Sequence, residues 1–253
     1  MHPIILSAGH VVIYSFGLLL ALALVVGGVT TMVLAHMARL STKGLFDTLL
    51  FIIFASVVGA RLAYVIGYHQ LFFGATGNFG QIFALWQGGL VFYGALVGGF
   101  IASHLAFGQE KAAFKRWLDI LTFGVLLGIV FGQAGCLLGG CASGVDSKMW
   151  AFFDHKVPVQ LFESMWSLLL FVGGLVLYIK RSEWRRGGLI FFVGGLLYSA
   201  GRLVLDYWRP QTLMFKHIPV ALGVDLLLII FLTVNFLRFL HKHKHLTSTG
   251  ETA

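Results

Sequence analysis

Apolar residues along this chain come in long unbroken blocks, without the alternation of a half-buried strand. Seven blocks can be marked, at about 11–34, 45–68, 89–108, 117–138, 159–179, 187–206 and 218–240. Each is close to the ~20 residues that an α-helix needs to cross a bilayer. A barrel strand would be about half as long and would alternate in polarity. The pattern therefore predicts an all-α, polytopic membrane protein with seven transmembrane helices. The first block lacks a basic leader and a small-residue cleavage pattern, so it reads as a helix and not as a cleaved signal. The longest stretches between blocks, 69–88 and 139–158, leave no room for a separate soluble domain. The expected organisation is one seven-helix transmembrane domain over residues 1–240 and a basic tail over 241–253.

Composition strengthens this reading. Hydrophobic residues make up 58% of the chain and charged residues only 11%, against roughly a quarter charged in a soluble domain. The formal charge of +8 is a topology signal. Twelve of the eighteen Lys and Arg fall in alternate loops and the C-terminal tail, four fall in the opposite loops, and Arg61 and Arg202 fall inside apolar blocks. The positive-inside rule then places the C-terminus in the cytoplasm and the N-terminus outside, as seven crossings require. Nucleic acid is not an expected partner, and anionic lipid is. The tract "HKHKH" at 241–245 reads as a solvated basic end, and no metal site or cofactor is expected.

With orientation set, counting along each block gives depth. Arg61 and Tyr64, Gln133, Cys136 and Cys141, and Arg202 and Asp206 all fall near outward ends. Phe16, Tyr93, Gln160 and Glu163 fall near the outer ends of blocks that run inward. Residues distant in sequence thus converge on one external layer. An Arg or Asp at mid-membrane costs about 2.5–3.5 kcal/mol on insertion scales, so these side chains are expected to face a polar cavity or one another. Arg202 and Asp206 are four apart and share a helix face. The competing readings are that the arginines snorkel to headgroups, or that Arg202 and Asp206 form a purely structural ion pair. No internal repeat with paired broken helices points to a transporter.

Glycines mark the close approaches. Gly94 and Gly98 form a small-xxx-small pair in "WQGGLVFYGALVGG", residues 86–99, whose Trp86 and Tyr93 suit an interfacial belt. Gly124, Gly128 and Gly132 recur every fourth residue and clear one face of the fourth block for another helix. The stretch "GQAGCLLGGCASG", 132–144, holds both cysteines of the chain. On an unbroken helix they would lie about 7.5 Å apart along the axis, too far for a disulfide. A break at Gly139–Gly140 would bring them together. Three readings stay open: small packing residues, a disulfide on an oxidising side and a nucleophilic thiol. Asp225 is a further buried acid.

Five stretches in order, "YSFGLLLALAL", "GARLAYVIGY", "WQGGLVFYGALVGG", "VPVQLFES" and "GGLLYSAGRLVLDYWRP", resemble the bacterial prolipoprotein diacylglyceryl transferases over about residues 12–230. The resemblance implies seven transmembrane helices in the inner membrane, with a cavity open to the outer leaflet. It also implies transfer of a diacylglyceryl group from phosphatidylglycerol to a prolipoprotein cysteine. Arg61, Gln160, Glu163, Arg202 and Arg209 match that family's pattern, with Asp206 in place of a Glu.

The family's Gly-Arg-x-Gly-Asn followed by Gly-Glu reads here Gly132-Gln133-Ala134-Gly135-Cys136 and then Gly140-Cys141, and its His in Phe-His-Gly-Gly is Tyr93. A neutral Gln133 forms weaker hydrogen bonds than an arginine, and several kcal/mol of lost transition-state stabilisation is on the order of a hundredfold or more in rate. The expected site has Tyr93, Gln133 and Arg202 as catalytic residues. Phe16, Arg61, Tyr64, Gly135, Cys136, Gln160, Glu163, Asp206 and Arg209 are its expected substrate-binding residues. The expected function is a phospholipid-dependent transferase of this kind, at the outer leaflet of the inner membrane, in a divergent member of the family. The alternative is a non-catalytic lipid-binding membrane protein that kept the fold.

Overall fold

A computed structural model of the chain describes residues 4–8, 11–74, 77–85, 88–141, 144–149, 155–185, 187–210, 214–215 and 218–248. The Trp86 expected in an interfacial belt lies outside these residues, as does the Lys216 counted among the loop charges. The long elements are α-helices: α1 (Ser15–Met37), α2 (Leu45–Gly67), a short α3 (His69–Phe73), α4 (Phe92–Phe107), α5 (Lys111–Gly139), α6 (Val159–Lys180), α7 (Leu189–Leu205) and α8 (Val220–Ser248). Among the described residues six helices, α7 being taken with the turn that carries it on to Trp208, are long and apolar enough to cross a membrane, and the chain is a multi-pass membrane protein.

The third expected span is shorter. The sixteen residues of α4 rise about 24 Å, less than the roughly 30 Å of a hydrocarbon core, because the expected start at 89 is a turn of positive-φ Gly88 and Gly89. The first block also begins later than its hydropathy indicated. Val11–Tyr14 pairs with Ile4–Ala8 as an antiparallel hairpin, as two β-branched valines and an isoleucine before Tyr14 favour. A second two-residue pairing joins Met214–Phe215 to Ile218–Pro219. At the other end α8 continues past 240 to Ser248 and takes the basic tract into the helix.

The chain divides into two compact units, one of residues 1–31 and 119–253 and the other of residues 32–118. In the first, α5 is the buried element: Ile120 and Phe123 have no exposed surface. Gly124 meets α1, where a Cβ would stand 2.8 Å from Thr31 Oγ1, and Gly135 meets it again at Phe16 and Leu19. Gly128 and Gly132 have nothing within 4 Å. The close face therefore runs from Gly124 to Gly135, three turns on, and not down the every-fourth-residue stripe that the sequence suggested. On its other sides Phe123 packs edge-on against Phe171 and Tyr178 of α6. The carboxylate of Asp119 accepts hydrogen bonds from Gly188 N at 2.7 Å and Phe191 N at 2.8 Å, capping the start of α7 from a neighbouring helix. That cap satisfies donors that a helix N-terminus otherwise leaves open.

In the second unit, α2 and α4 touch through backbone. A Cβ on Gly59 would fall 3.1 Å from Gly98 Cα and would collide with Gly94 O, and one on Gly98 would collide with Ala55 O. The Gly94–Gly98 pair is thus one half of a two-sided seam completed by Gly59. Gly59→Ala is expected to lower the thermal unfolding midpoint measured in detergent, since overpacking costs about 1–3 kcal/mol. Gly28→Ala, where nothing lies within 4 Å, is expected to leave it unchanged or raise it.

Candidate functional site

The first unit gathers its charges around one carboxylate. Glu163 lies one turn into α6 and is 1% exposed. Its Oε1 accepts from Arg202 Nη1 at 2.8 Å and from the Tyr198 hydroxyl at 2.6 Å. Its Oε2 accepts from Arg209 Nη2 at 2.6 Å. Arg202 Nη1 also lies 3.2 Å from the Tyr198 oxygen, as their i,i+4 spacing on α7 permits. Asp206 opens a tight turn, Asp206–Trp208, beyond the end of α7. Its Oδ1 is 3.6 Å from Arg209 Nη1. The structure therefore brings together Glu163, Arg202, Asp206 and Arg209. Arg202 pairs with Glu163 on the neighbouring helix α6. Tyr198, absent from the expected site, sits at its centre. Its signal in the sequence was the Tyr-x-x-x-Arg spacing of α7, which places both side chains on one face.

The α5–α6 connector fixes the rim of this cluster. Val145 N donates to Trp208 O at 2.8 Å, and Gly144 N and Val157 N pair with Val157 O and Val145 O at 3.0 and 3.1 Å. This small ladder ties the backbone just before Arg209 to the start of α6. Arg209 is the more accessible guanidinium, with 18% of its side chain exposed.

The end of α5 is closed by a Schellman motif. Gly140 takes φ +75°. Cys141 N donates to Cys136 O at 3.0 Å, and Gly140 N donates to Leu137 O at 3.3 Å. Such motifs usually carry an apolar contact between the side chains at these first and last positions. Here those positions are Cys136 and Cys141, and they are joined by a disulfide with Cα atoms 5.0 Å apart. Of the readings the sequence left open, the structure takes the disulfide, because the left-handed glycine turns the chain back by one helical turn. The buried amide of Gln160 then donates through Nε2 to Cys141 O, three residues before Glu163 on α6. Gln133 is half-buried one turn before Cys136. Gly135 is buried against Phe16, whose ring is itself partly exposed.

The remaining candidates belong to the second unit. Arg61 is 7% exposed and turns onto the chain's own carbonyls, those of Gln81, Ile82, Ala84, Gly88 and Gly89. Tyr64 and Phe72 cover it, with ring centroids 5.3 and 5.6 Å from the guanidinium carbon. A cavity of about 300 Å³ opens beside it, lined also by Gln70 and Gln81. Tyr93 lies in the first turn of α4, edge-on to Phe92 at 5.9 Å. Among the described residues no group of three or more His, Cys, Asp or Glu could hold a metal ion.

The sequence model of a family described as prolipoprotein diacylglyceryl transferase matches residues 3–238. The chain belongs to this family. Among named relatives, a phosphatidylglycerol–prolipoprotein diacylglyceryl transferase of Listeria monocytogenes is 26% identical over 247 residues, covering 91% of this chain and 87% of the relative. One from Acaryochloris marina is 27% identical, covering 89% and 86%. One from Prochlorococcus marinus is 28% identical, covering 85% and 81%. The matched range takes in both units and includes Glu163, Tyr198, Arg202, Asp206 and Arg209.

The disulfide is directly measurable, since the chain has only two cysteines. Alkylation of the denatured, unreduced protein is expected to label neither, and alkylation after reduction to label both, by intact mass. Two labels without reductant would contradict the paired state.

Proposed function

We propose that this protein is a phospholipid-dependent transferase that moves a diacylglyceryl group from a phosphatidylglycerol-like lipid to a cysteine thiol of a prolipoprotein, at the outer face of the bacterial inner membrane. In that reaction the bond between the glyceryl carbon and the phosphate oxygen breaks and a carbon–sulfur bond forms. Glycerol phosphate leaves with the electron pair, and the thiol gives up its proton. The observation that carries the reading is the pair of guanidiniums, Arg202 and Arg209, held by one buried carboxylate. Preorganised cations of this kind stabilise charge that grows on a departing phosphate. Glu163 anchors both through separate oxygens, and Tyr198 steadies the oxygen that it shares with Arg202.

The names and coverage of the relatives support the substrate class. The seven-crossing arrangement, N-terminus outside, is supported by the loop charges. The disulfide at the end of α5 supports an oxidising, external location for that end.

A second reading, lipid binding without turnover, is favoured by one feature. Gln133 stands where the resemblance calls for an arginine, and Cys136 and Cys141 are tied to each other.

The test is reconstitution in phosphatidylglycerol vesicles with a peptide carrying a prolipoprotein cysteine. Expected is a diacylglyceryl mass increase on the peptide, lowered about a hundredfold or more in Arg202→Gln and raised about tenfold in Gln133→Arg. Retained phosphatidylglycerol with no transfer by the wild type or by Gln133→Arg would sink catalysis in favour of the second reading.

A further inference from the structure

We infer that Arg61 is a positioning residue: it clamps the α2–α4 connector through backbone carbonyls and is not a ligand of the lipid phosphate. A guanidinium has five N–H donors in a planar fork. At Arg61 each has a carbonyl. Nε donates to Ile82 O at 2.9 Å, Nη1 to Gly88 O and Gly89 O at 2.6 and 3.0 Å, and Nη2 to Gln81 O and Ala84 O at 2.5 and 3.4 Å. A phosphate would have to displace at least one of these.

The connector needs such a clamp. Between Arg61 and Glu110 the sequence has no Asp, Glu, Lys or Arg, and the connector shows its phenyl rings outward at Phe73, Phe79 and Phe83. Its carbonyls are not used up by helix: among its described residues only the short α3 and the turn Phe79–Phe83 are regular. Non-helical backbone beside lipid is tolerated only where its polar groups are satisfied from within. Arg61 supplies those donors. In return, the converging carbonyl dipoles and the Tyr64 and Phe72 ring faces stabilise a charge that is otherwise costly to bury.

The geometry is specific to arginine at one end and glycine at the other. Gly88 and Gly89, at φ +78° and +71°, turn two successive carbonyls toward Nη1. A Cβ on Gly89 would stand 2.7 Å from that nitrogen and 2.6 Å from the Tyr64 ring. Val91 N donates to Ala60 O at 3.1 Å, so the clamped segment runs directly into the first turn of α4. Arg61 therefore fixes where α4 starts and where Tyr93 stands on it. A lysine keeps the charge but offers three donors from one point and cannot span five carbonyls.

The experiment compares wild type, Arg61→Lys and Gly89→Ala in detergent by limited chymotrypsin digestion, reading cleavage after the exposed Phe79 and Phe83. Helical circular dichroism verifies that each variant is folded. Cleavage is expected to accelerate at least tenfold in both variants. Unchanged cleavage in folded Arg61→Lys would overturn the clamp. If that variant does not fold, Gly89→Ala decides by the same criterion.

The transfer assay supplies the second arm and alone rests on the proposed activity. Arg61→Lys is expected to lower the rate at saturating phosphatidylglycerol at least tenfold with the half-saturating lipid concentration within twofold of wild type. A rise in half-saturation beyond that would mean that Arg61 holds the headgroup, and would overturn the inference. A wild type without transfer would count against the functional reading, and the cleavage arm would still decide the clamp.

Discussion

Burying one carboxylate between two guanidiniums constrains everything around it. Glu163 is closed off from solvent and each of its oxygens is committed to a different arginine, so α6, α7 and the turn after α7 must meet at one point. A carboxylate so placed is tolerable only while its partners stay, since removing one partner of a buried pair costs about 3–5 kcal/mol. The neighbouring features serve that requirement. Tyr198 shares the oxygen that Arg202 uses, Asp206 lies beside Arg209, and the ladder from Gly144 to Val157 holds the backbone at Trp208. On the same face of α6, three residues before Glu163, the Gln160 amide reaches the carbonyl of Cys141. The disulfide-closed end of α5 is thereby tied, through one hydrogen bond and one helical turn, to the anchor of both arginines.

Arg61 meets the same physical problem with the opposite solution. No described carboxylate lies within ion-pair distance of it, and its charge is met by carbonyl dipoles and aromatic faces. The two sites show two ways to keep a guanidinium inside an apolar chain. An anion partner holds Arg202 to a neighbouring helix, and a ring of carbonyls makes Arg61 part of the backbone architecture. An arginine counted from sequence alone carries no mark of which it will be.

That difference sets the limit of what could be read in advance. Helices were legible because their apolar blocks are long and continuous, and Gly94 and Gly98 were legible because small residues at i,i+4 have one main use in a membrane. The expense of charge at depth pointed to Glu163, Arg202 and Asp206, while Arg209, counted among the loop charges, entered only through the resemblance. The missed items are those decided by backbone geometry. The start of α4 depends on two left-handed glycines. The cysteine pairing was left open because it depends on Gly140 leaving the helix, and the Arg61 clamp depends on five carbonyls whose direction no residue type announces. Asp119 escaped because its partners are main-chain amides at the head of another helix. The glycine stripe on α5 misled for a related reason, since packing chose Gly124 and Gly135 and left Gly128 and Gly132 clear.

The seam between α2 and α4 has a consequence of its own. Gly59, Gly94 and Gly98 bring main chain against main chain, and none of them has a rotamer to freeze when the helices meet. Association there escapes the ordering penalty that larger side chains carry, which runs to about 1.5–2 kcal/mol for the most flexible ones. It also has no adjustable part: a neighbour cannot swing aside to accept an added methyl. Such a joint is inexpensive to form and intolerant of repair, so compensating substitutions have nowhere to act within it.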